Sequence, residues 1–270
     1  MNETAPTGRW ADLGPRVLSA LVLLAIGAVA VFQGGLAFQA LVVLVVALMV
    51  WELLRMLNPN RSDLLIAVPL LCAIGVYVGL AVIPDQSGAL YFVGVLALSA
   101  VIGFAAAERR WTGIAYGFLI LAGCLTLALM RDSLGVVWLL WLVFVVIASD
   151  VAGYFAGKSL GGPKFWPAIS PKKTWSGTIA GWVAAAIMGG VFSMFLGDFV
   201  ALVAASVVLA FAAQMGDIAE SAIKRSCDIK DSSGLIPGHG GFLDRFDGLI
   251  GAAAALFVIS VVLRWPGGIL

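Results

Sequence analysis

Residues 134–156 read LGVVWLLWLVFVVIASDVAGYFA, with Asp150 as the one charged side chain. At a rise of about 1.5 Å per residue, a helix of this length exceeds the roughly 30 Å of a bilayer's hydrocarbon core. Its last turns carry an acid, a tyrosine and two small residues, so the run both sets the fold and ends in polar chemistry. Working outward, comparable apolar runs fall at about 17–34, 36–51, 64–83, 89–107, 114–130, 177–197, 199–220 and 248–266, separated by Gly, Pro, Asn or charged clusters. With 62% hydrophobic residues, 11% charged residues and a mean hydropathy of +1.07, the 270-residue chain has more apolar surface than a soluble domain of its size can bury.

The expected fold is therefore an all-α, polytopic integral membrane protein of about nine transmembrane helices. It forms one membrane-embedded domain over 1–270, with N-terminal helices in 1–130 and catalytic helices and loops in 131–270. The first two runs are divided only by Gln33-Gly34-Gly35. A tight helical hairpin is expected there, with one broken helix as the alternative. The polar segment Met1 to Arg16 precedes an apolar run without an A-x-A-type cleavage site, so that run is expected to remain as a membrane helix.

Nine spans place the loops alternately on two sides. Fourteen of the sixteen lysines and arginines, from Arg9 to Arg245, then share one side, and only Arg131 and Arg264 take the other. The positive-inside rule puts the N-terminus in the cytoplasm and the C-terminus outside. The long polar loops 157–176 and 221–247 thereby share the cytoplasmic face. A net charge of +1, with bases scattered over short loops, gives no case for a nucleic-acid partner. Cys72, Cys124 and Cys227 have no metal-ligand spacing and read as structural.

Asp217, Glu220, Ser221 and Lys224 stand at offsets 0, 3, 4 and 7 and share one helical face. Acids close to a membrane are costly unless paired or bound to a cation, so the stripe is a site candidate, although a salt-bridged interfacial helix end has the same pattern. Beyond it, Gly234-Leu-Ile-Pro-Gly238-His239-Gly240-Gly241 lacks β-carbons at three of its last four positions and opens onto Asp244-Arg245-Phe246-Asp247. Glycine loops at helix N-termini are a recurrent phosphate cradle. Asp244 and Asp247, three apart beside such a cradle, suggest a hard divalent cation. His239, the only histidine, suits hydrogen bonding to phosphate better than base catalysis, because a phosphate nucleophile is already an anion; bracing the glycine turn is the structural alternative. On the other polar loop, Asp150 and Tyr154 face together, while Gly153 and Gly157 form a small-xxx-small pair that more often packs helices than touches ligand. Lys172 and Lys173 can hold a nucleotide's phosphates or anionic headgroups.

Ser221-Ala-Ile223-Lys224-Arg225, Lys230-Asp231, Gly234, Pro237 to Gly241 and Asp244 to Asp247 closely resemble the signature of phosphatidate cytidylyltransferases, also called CDP-diacylglycerol synthases. Ser170-Pro-Lys-Lys-Thr-Trp175 and Asp150-x-x-Gly-Tyr154 are similar to the same family, so the resemblance covers the C-terminal half. The family usually has a glutamate where this chain has Ser176. The resemblance implies a multi-helix membrane enzyme, often a homodimer. It converts CTP and phosphatidic acid to CDP-diacylglycerol and pyrophosphate with Mg²⁺, with room for a second cation. The bacterial inner membrane is the expected location, with the site facing the cytoplasm and membrane lipids around it. Asp217, Asp244 and Asp247 are the expected metal ligands, with Ser221, Lys224, Arg225 and His239 beside them. Asp150, Lys172, Lys173, Lys230, Asp231, Gly240, Gly241 and Arg245 are the expected substrate-binding residues. Another CTP-dependent lipid or polyprenol kinase, and an ion-coupled transporter with acids near mid-membrane, are the competing readings.

Overall fold

The computed structural model describes residues 13–83 and 87–267. Arg9 and most of the polar N-terminal segment lie outside the described residues. Among the described residues nine α-helices follow in order: α1 (Leu13–Gln33), α2 (Gly35–Leu57), α3 (Leu64–Val82), α4 (Gly88–Ala105), α5 (Arg110–Leu129), α6 (Val136–Leu160), α7 (Trp175–Leu196), α8 (Phe199–Ser226) and α9 (Leu243–Leu263). Among the described residues eight helices are long and apolar enough to cross a membrane, and Val17–Gln33 of α1 is apolar but shorter. The protein is all-α and polytopic, as expected.

Large apolar side chains such as Leu24, Leu36, Ile66, Phe104 and Val200 lie on the outside. Only lipid makes such a surface tolerable. The centre belongs to α5, whose residues from Ile120 to Leu129 are all buried or nearly so. It packs between α2, α4 and α9, while α6, α7 and α8 form a second group that joins it through α9. A β-carbon on Gly123 would stand 2.8 Å from the Ile250 carbonyl, so α5 and α9 cross backbone to backbone. Small residues are what allow such an approach in a membrane, where no hydrophobic drive separates helix from lipid.

α1 and α2 form the expected hairpin. Gly34 and Gly35 adopt φ of +67° and +52°, which breaks the helix between them. Arg131 closes the turn, its Nε donating to the Val31 carbonyl at 2.6 Å. At the other ends, Ser19 reaches Pro237 and His239, and Glu52 reaches Ser232 and Ser233. Both ends of the hairpin therefore lie on the face of the α8–α9 loop. Arg109 joins that face as well, donating to the Ser226 carbonyl at 2.7 Å and favouring the negative C-terminus of α8. Loops that the alternation places together meet in space.

Several boundaries differ from the apolar runs. α2 continues past residue 51 to Leu57 because Leu53, Leu54, Met56 and Leu57 keep one face buried around Glu52. α8 extends to Ser226 and α9 begins at Leu243, so the acids at both ends lie on helix. The 157–176 loop contains an antiparallel pair, β1 (Lys164–Trp166) and β2 (Ser170–Thr174), an element that hydropathy does not reveal.

Candidate active site

Asp150 and Tyr154 come from α6, one turn apart. They line a cavity of about 510 Å³ with Lys172 and Lys173 of β2, Thr178 of α7, Gln214 and Asp217 of α8, and Asp247 of α9. Lys158, a further turn along α6, adds a third cation and stands 5.7 Å over the Tyr154 ring. Polar groups from five elements thus converge at one end of the α6–α9 group. The acids are not spread through the middle of the bundle, as an ion pathway would need.

Glycine contacts bring these elements together. A β-carbon on Gly177 of α7 would run into the Gly153 carbonyl at 2.5 Å, so these glycines mark the α6–α7 crossing beside Asp150. Gly216 of α8 and Gly251 of α9 play the same part for Asp217 and Asp247. A side chain on Gly216 would strike the Asp247 carbonyl and the Gly251 backbone. Gly153 is therefore a packing residue that also faces the cavity.

Gln214 ties three helices: its Oε1 accepts from Trp182 Nε1 at 3.1 Å, and its Nε2 donates to the Thr178 carbonyl at 3.4 Å and to Ser149 at 3.5 Å. Its own carbonyl accepts from Lys173 Nζ at 3.1 Å. Lys173 also pairs with Asp217 at 2.6 Å. An ammonium thus already lies against one of the cavity's carboxylates. Asp247 lies within electrostatic reach of Asp217 and Asp150. Three carboxylates with three lysines around one cavity suit a polyanionic ligand that brings a cation with it.

The remaining expected residues are placed differently. Asp244 does not line the cavity. Its Oδ1 accepts from Lys224 Nζ at 2.6 Å, and its Oδ2 from Ser232 N at 2.9 Å, Ser232 Oγ at 2.8 Å and Gly241 N at 2.8 Å. Lys224 is held on its other side by Glu220 at 2.6 Å. Asp244 and Lys224 therefore form a brace between α8 and α9. Arg225 donates to the Ile169 carbonyl at 3.1 Å and tethers the β-hairpin, and Ser221 lies half-buried one turn beyond Asp217. Lys230 and Asp231 are exposed on the loop. His239 Nδ1 meets Ser19 Oγ at 3.1 Å, and Arg245 donates to the His239 carbonyl at 2.9 Å. The histidine thus takes the bracing position.

The glycine loop closes on itself. Ile236 N–H donates to the Gly240 carbonyl at 2.8 Å, and His239 N–H to the Ile236 carbonyl at 2.9 Å. Gly240, at φ +81°, packs against Asp244. At the start of α9, the Phe242 and Leu243 amides donate to Glu52 at 2.9 and 2.8 Å. Protein carboxylates occupy the Gly241, Phe242 and Leu243 amides, at the place where the sequence offers amides to phosphate. Glu52 is a residue that sequence reasoning missed; its one signal was an acid directly after an apolar run. Ser176, at the position of the expected glutamate, donates to the Gly161 carbonyl and pairs with Thr174, the N-cap of α7.

The sequence model of the cytidylyltransferase family matches residues 14–263. The chain belongs to that family. The cytidylyltransferase match runs through the N-terminal helices as well, beyond the C-terminal half in which the motifs stand. A phosphatidate cytidylyltransferase of Brucella suis biovar 1 is 39% identical over 201 residues, covering 70% of this chain and 72% of the relative. The phosphatidate cytidylyltransferase of Rickettsia bellii is 42% identical over 133 residues, 46% of this chain and 58% of the relative. That of Bacillus subtilis is 39% identical over 122 residues, 44% and 45%.

Proposed function

We infer that this cytidylyltransferase acts on phosphatidic acid, joining it to the cytidylyl group of CTP to give CDP-diacylglycerol and pyrophosphate. The observation that carries the reading is the cavity in which Asp150, Asp217 and Asp247 face Lys158, Lys172 and Lys173 at the ends of membrane helices. Two phosphate substrates bring several negative charges to one place, and only a site of mixed charge can hold them with a cation. A cavity of about 510 Å³ is in the range of nucleotide-sized pockets.

The phosphatidate oxygen attacks the α-phosphorus of CTP in line with the bond to the departing pyrophosphate. It is already an anion, so no side chain has to take a proton from it, and His239 is left to its contact with Ser19. Lys172 and Lys173 neutralise phosphate oxygens, and Lys158 joins them from α6. Lys173 releases Asp217 as substrate charge enters. The donor chemistry of the cavity fits Mg²⁺: Asp217 and Asp247 offer hard oxygen ligands, with Asp150 beside them. Among the described residues no three acids, histidines or cysteines form a complete metal cage. Phosphate oxygens would therefore complete the shell, as is usual for this ion. The bound ion would supply charge stabilisation at the transferring phosphorus. Asp244, whose oxygens are engaged by Lys224, Ser232 and Gly241, keeps the brace.

The bias of basic residues supports a cytoplasmic position for this cavity, where CTP is available, and the bacterial relatives favour the inner membrane. A homodimer is proposed from the family resemblance, and chemical crosslinking in native membranes tests it. The function is tested with purified protein in detergent given CTP, Mg²⁺ and phosphatidic acid. Pyrophosphate and CDP-diacylglycerol are expected in equal amounts. Folded protein that forms neither overturns the reading, and release of CDP with a phosphorylated lipid would establish a kinase instead.

A further inference from the structure

We propose that Glu52, from the N-terminal half of the chain, is a positioning residue for the transfer: its carboxylate fixes the start of α9 and thereby the placement of Asp244 and Asp247. The side chain is fully buried on α2. Three donors and a hydroxyl shared with Asp244 converge on it, all from the segment between Ser232 and Leu243. Oε1 accepts from Ser233 Oγ at 2.5 Å and Phe242 N at 2.9 Å, and Oε2 accepts from Leu243 N at 2.8 Å and Ser232 Oγ at 3.3 Å. The positive end of α9 meets this charge, and among the described residues no ion pair is formed by Glu52. Gly241 lies so close that a β-carbon there would strike both Glu52 and Ser232.

Ser232 is shared: its hydroxyl contacts Glu52 and Asp244. From Asp244 the brace continues to Lys224 and Glu220 on α8. Asp247, one turn further along α9, faces the cavity. A rotation or slip of the first turn of α9 would move Asp244 off Lys224 and at the same time shift Asp247 within the cavity. Glu52 is therefore the point at which an N-terminal helix sets the geometry of the C-terminal site.

Glutamine cannot replace it. Each carboxylate oxygen receives a backbone N–H, which unlike a hydroxyl cannot turn round to accept, so either flip of the amide sets an NH₂ against a donor. Aspartate keeps both oxygens but is one methylene short.

The kinetic arm of the test rests on the function proposed above. Glu52→Gln is expected to lower kcat about 30-fold or more while KM for CTP moves by less than about 3-fold, and Glu52→Asp to recover much of the rate. Hydrogen exchange, which needs no turnover, is expected to speed up in Glu52→Gln over residues 232–243 and to leave α6 and α7 as in the wild type. The proposal is overturned if folded Glu52→Gln keeps kcat within about 3-fold of wild type, or if exchange rises uniformly across the helices. Should Glu52→Gln not fold, Ser233→Ala carries the test: it removes the hydroxyl that donates to Oε1, and wild-type kcat with unchanged exchange in 232–243 overturns the proposal. A wild-type enzyme inactive on CTP and phosphatidate would remove the proposed function, while selective exchange in 232–243 would still report the role of Glu52 in holding α9.

Discussion

Asp217 and Asp244 look alike as acids of one polar segment, yet the structure surrounds them differently, and their substitution should separate them. Asp217 is part exposed to the cavity and shares Lys173 with the Gln214 carbonyl. Asp217→Asn should lower kcat by at least about 100-fold and leave the melting temperature in detergent near the wild-type value. Asp244 is held by one ammonium, two amides and a hydroxyl. Removing its charge leaves Lys224 with Glu220 alone and should cost about 3 kcal/mol of stability besides activity. Activity assays paired with thermal unfolding check both, and equal melting temperatures for the two variants would refute the brace. At this scale the sequence supplied residue types and offsets, which put Asp217 on a polar face and Asp244 beside Asp247. It could not say which acid faces a cavity and which faces a lysine, because partners are chosen across helices.

Helices α8 and α9 cross at Gly216 and Gly251, directly beside Asp217 and Asp247. Gly216→Val should push the crossing apart and reduce activity more than about 10-fold, since an ångström of misplacement at reacting groups is costly. A β-carbon on Gly94 of α4 would meet nothing within 4 Å, and Gly94→Ala should leave activity unchanged and gain up to about 1 kcal/mol. Steady-state rates and melting curves of the two variants check the contrast. The positions of the helices were legible from hydropathy alone, since each must present about 20 apolar residues to the bilayer. Their ends were not. Glu52 stands just past the apolar run that ends at 51, yet α2 continues through it because the amides of Phe242 and Leu243 receive its charge. The β-hairpin was illegible for a related reason: Lys164–Trp166 and Ser170–Thr174 have no alternating pattern, and the pair is held at its turn by Arg225.

Across the whole molecule, the α8–α9 loop gathers Glu52 from α2 and Ser19 from α1, while the end of α6 meets α8 and α9 at the cavity, so both halves of the chain contribute to one face. Single cysteines at position 172 and at position 198, in a background carrying Cys227→Ser, should label from opposite sides of the membrane, with 172 open to the cytoplasm. Labelling of 172 from outside would reverse the proposed orientation. Cys72 and Cys124 are buried and should not interfere. What the sequence determined by itself was the solvent of the fold, the places of its apolar helices and the family of the chemistry, because each is written in local composition or in a contiguous motif. Which face each acid serves, the use of α9's amides by Glu52 instead of phosphate, and the meeting of Asp150, Asp217 and Asp247 were decided by tertiary structure. Their partners lie far apart in the chain, and only close helix crossings at glycines bring them within hydrogen-bonding or charge-pairing distance.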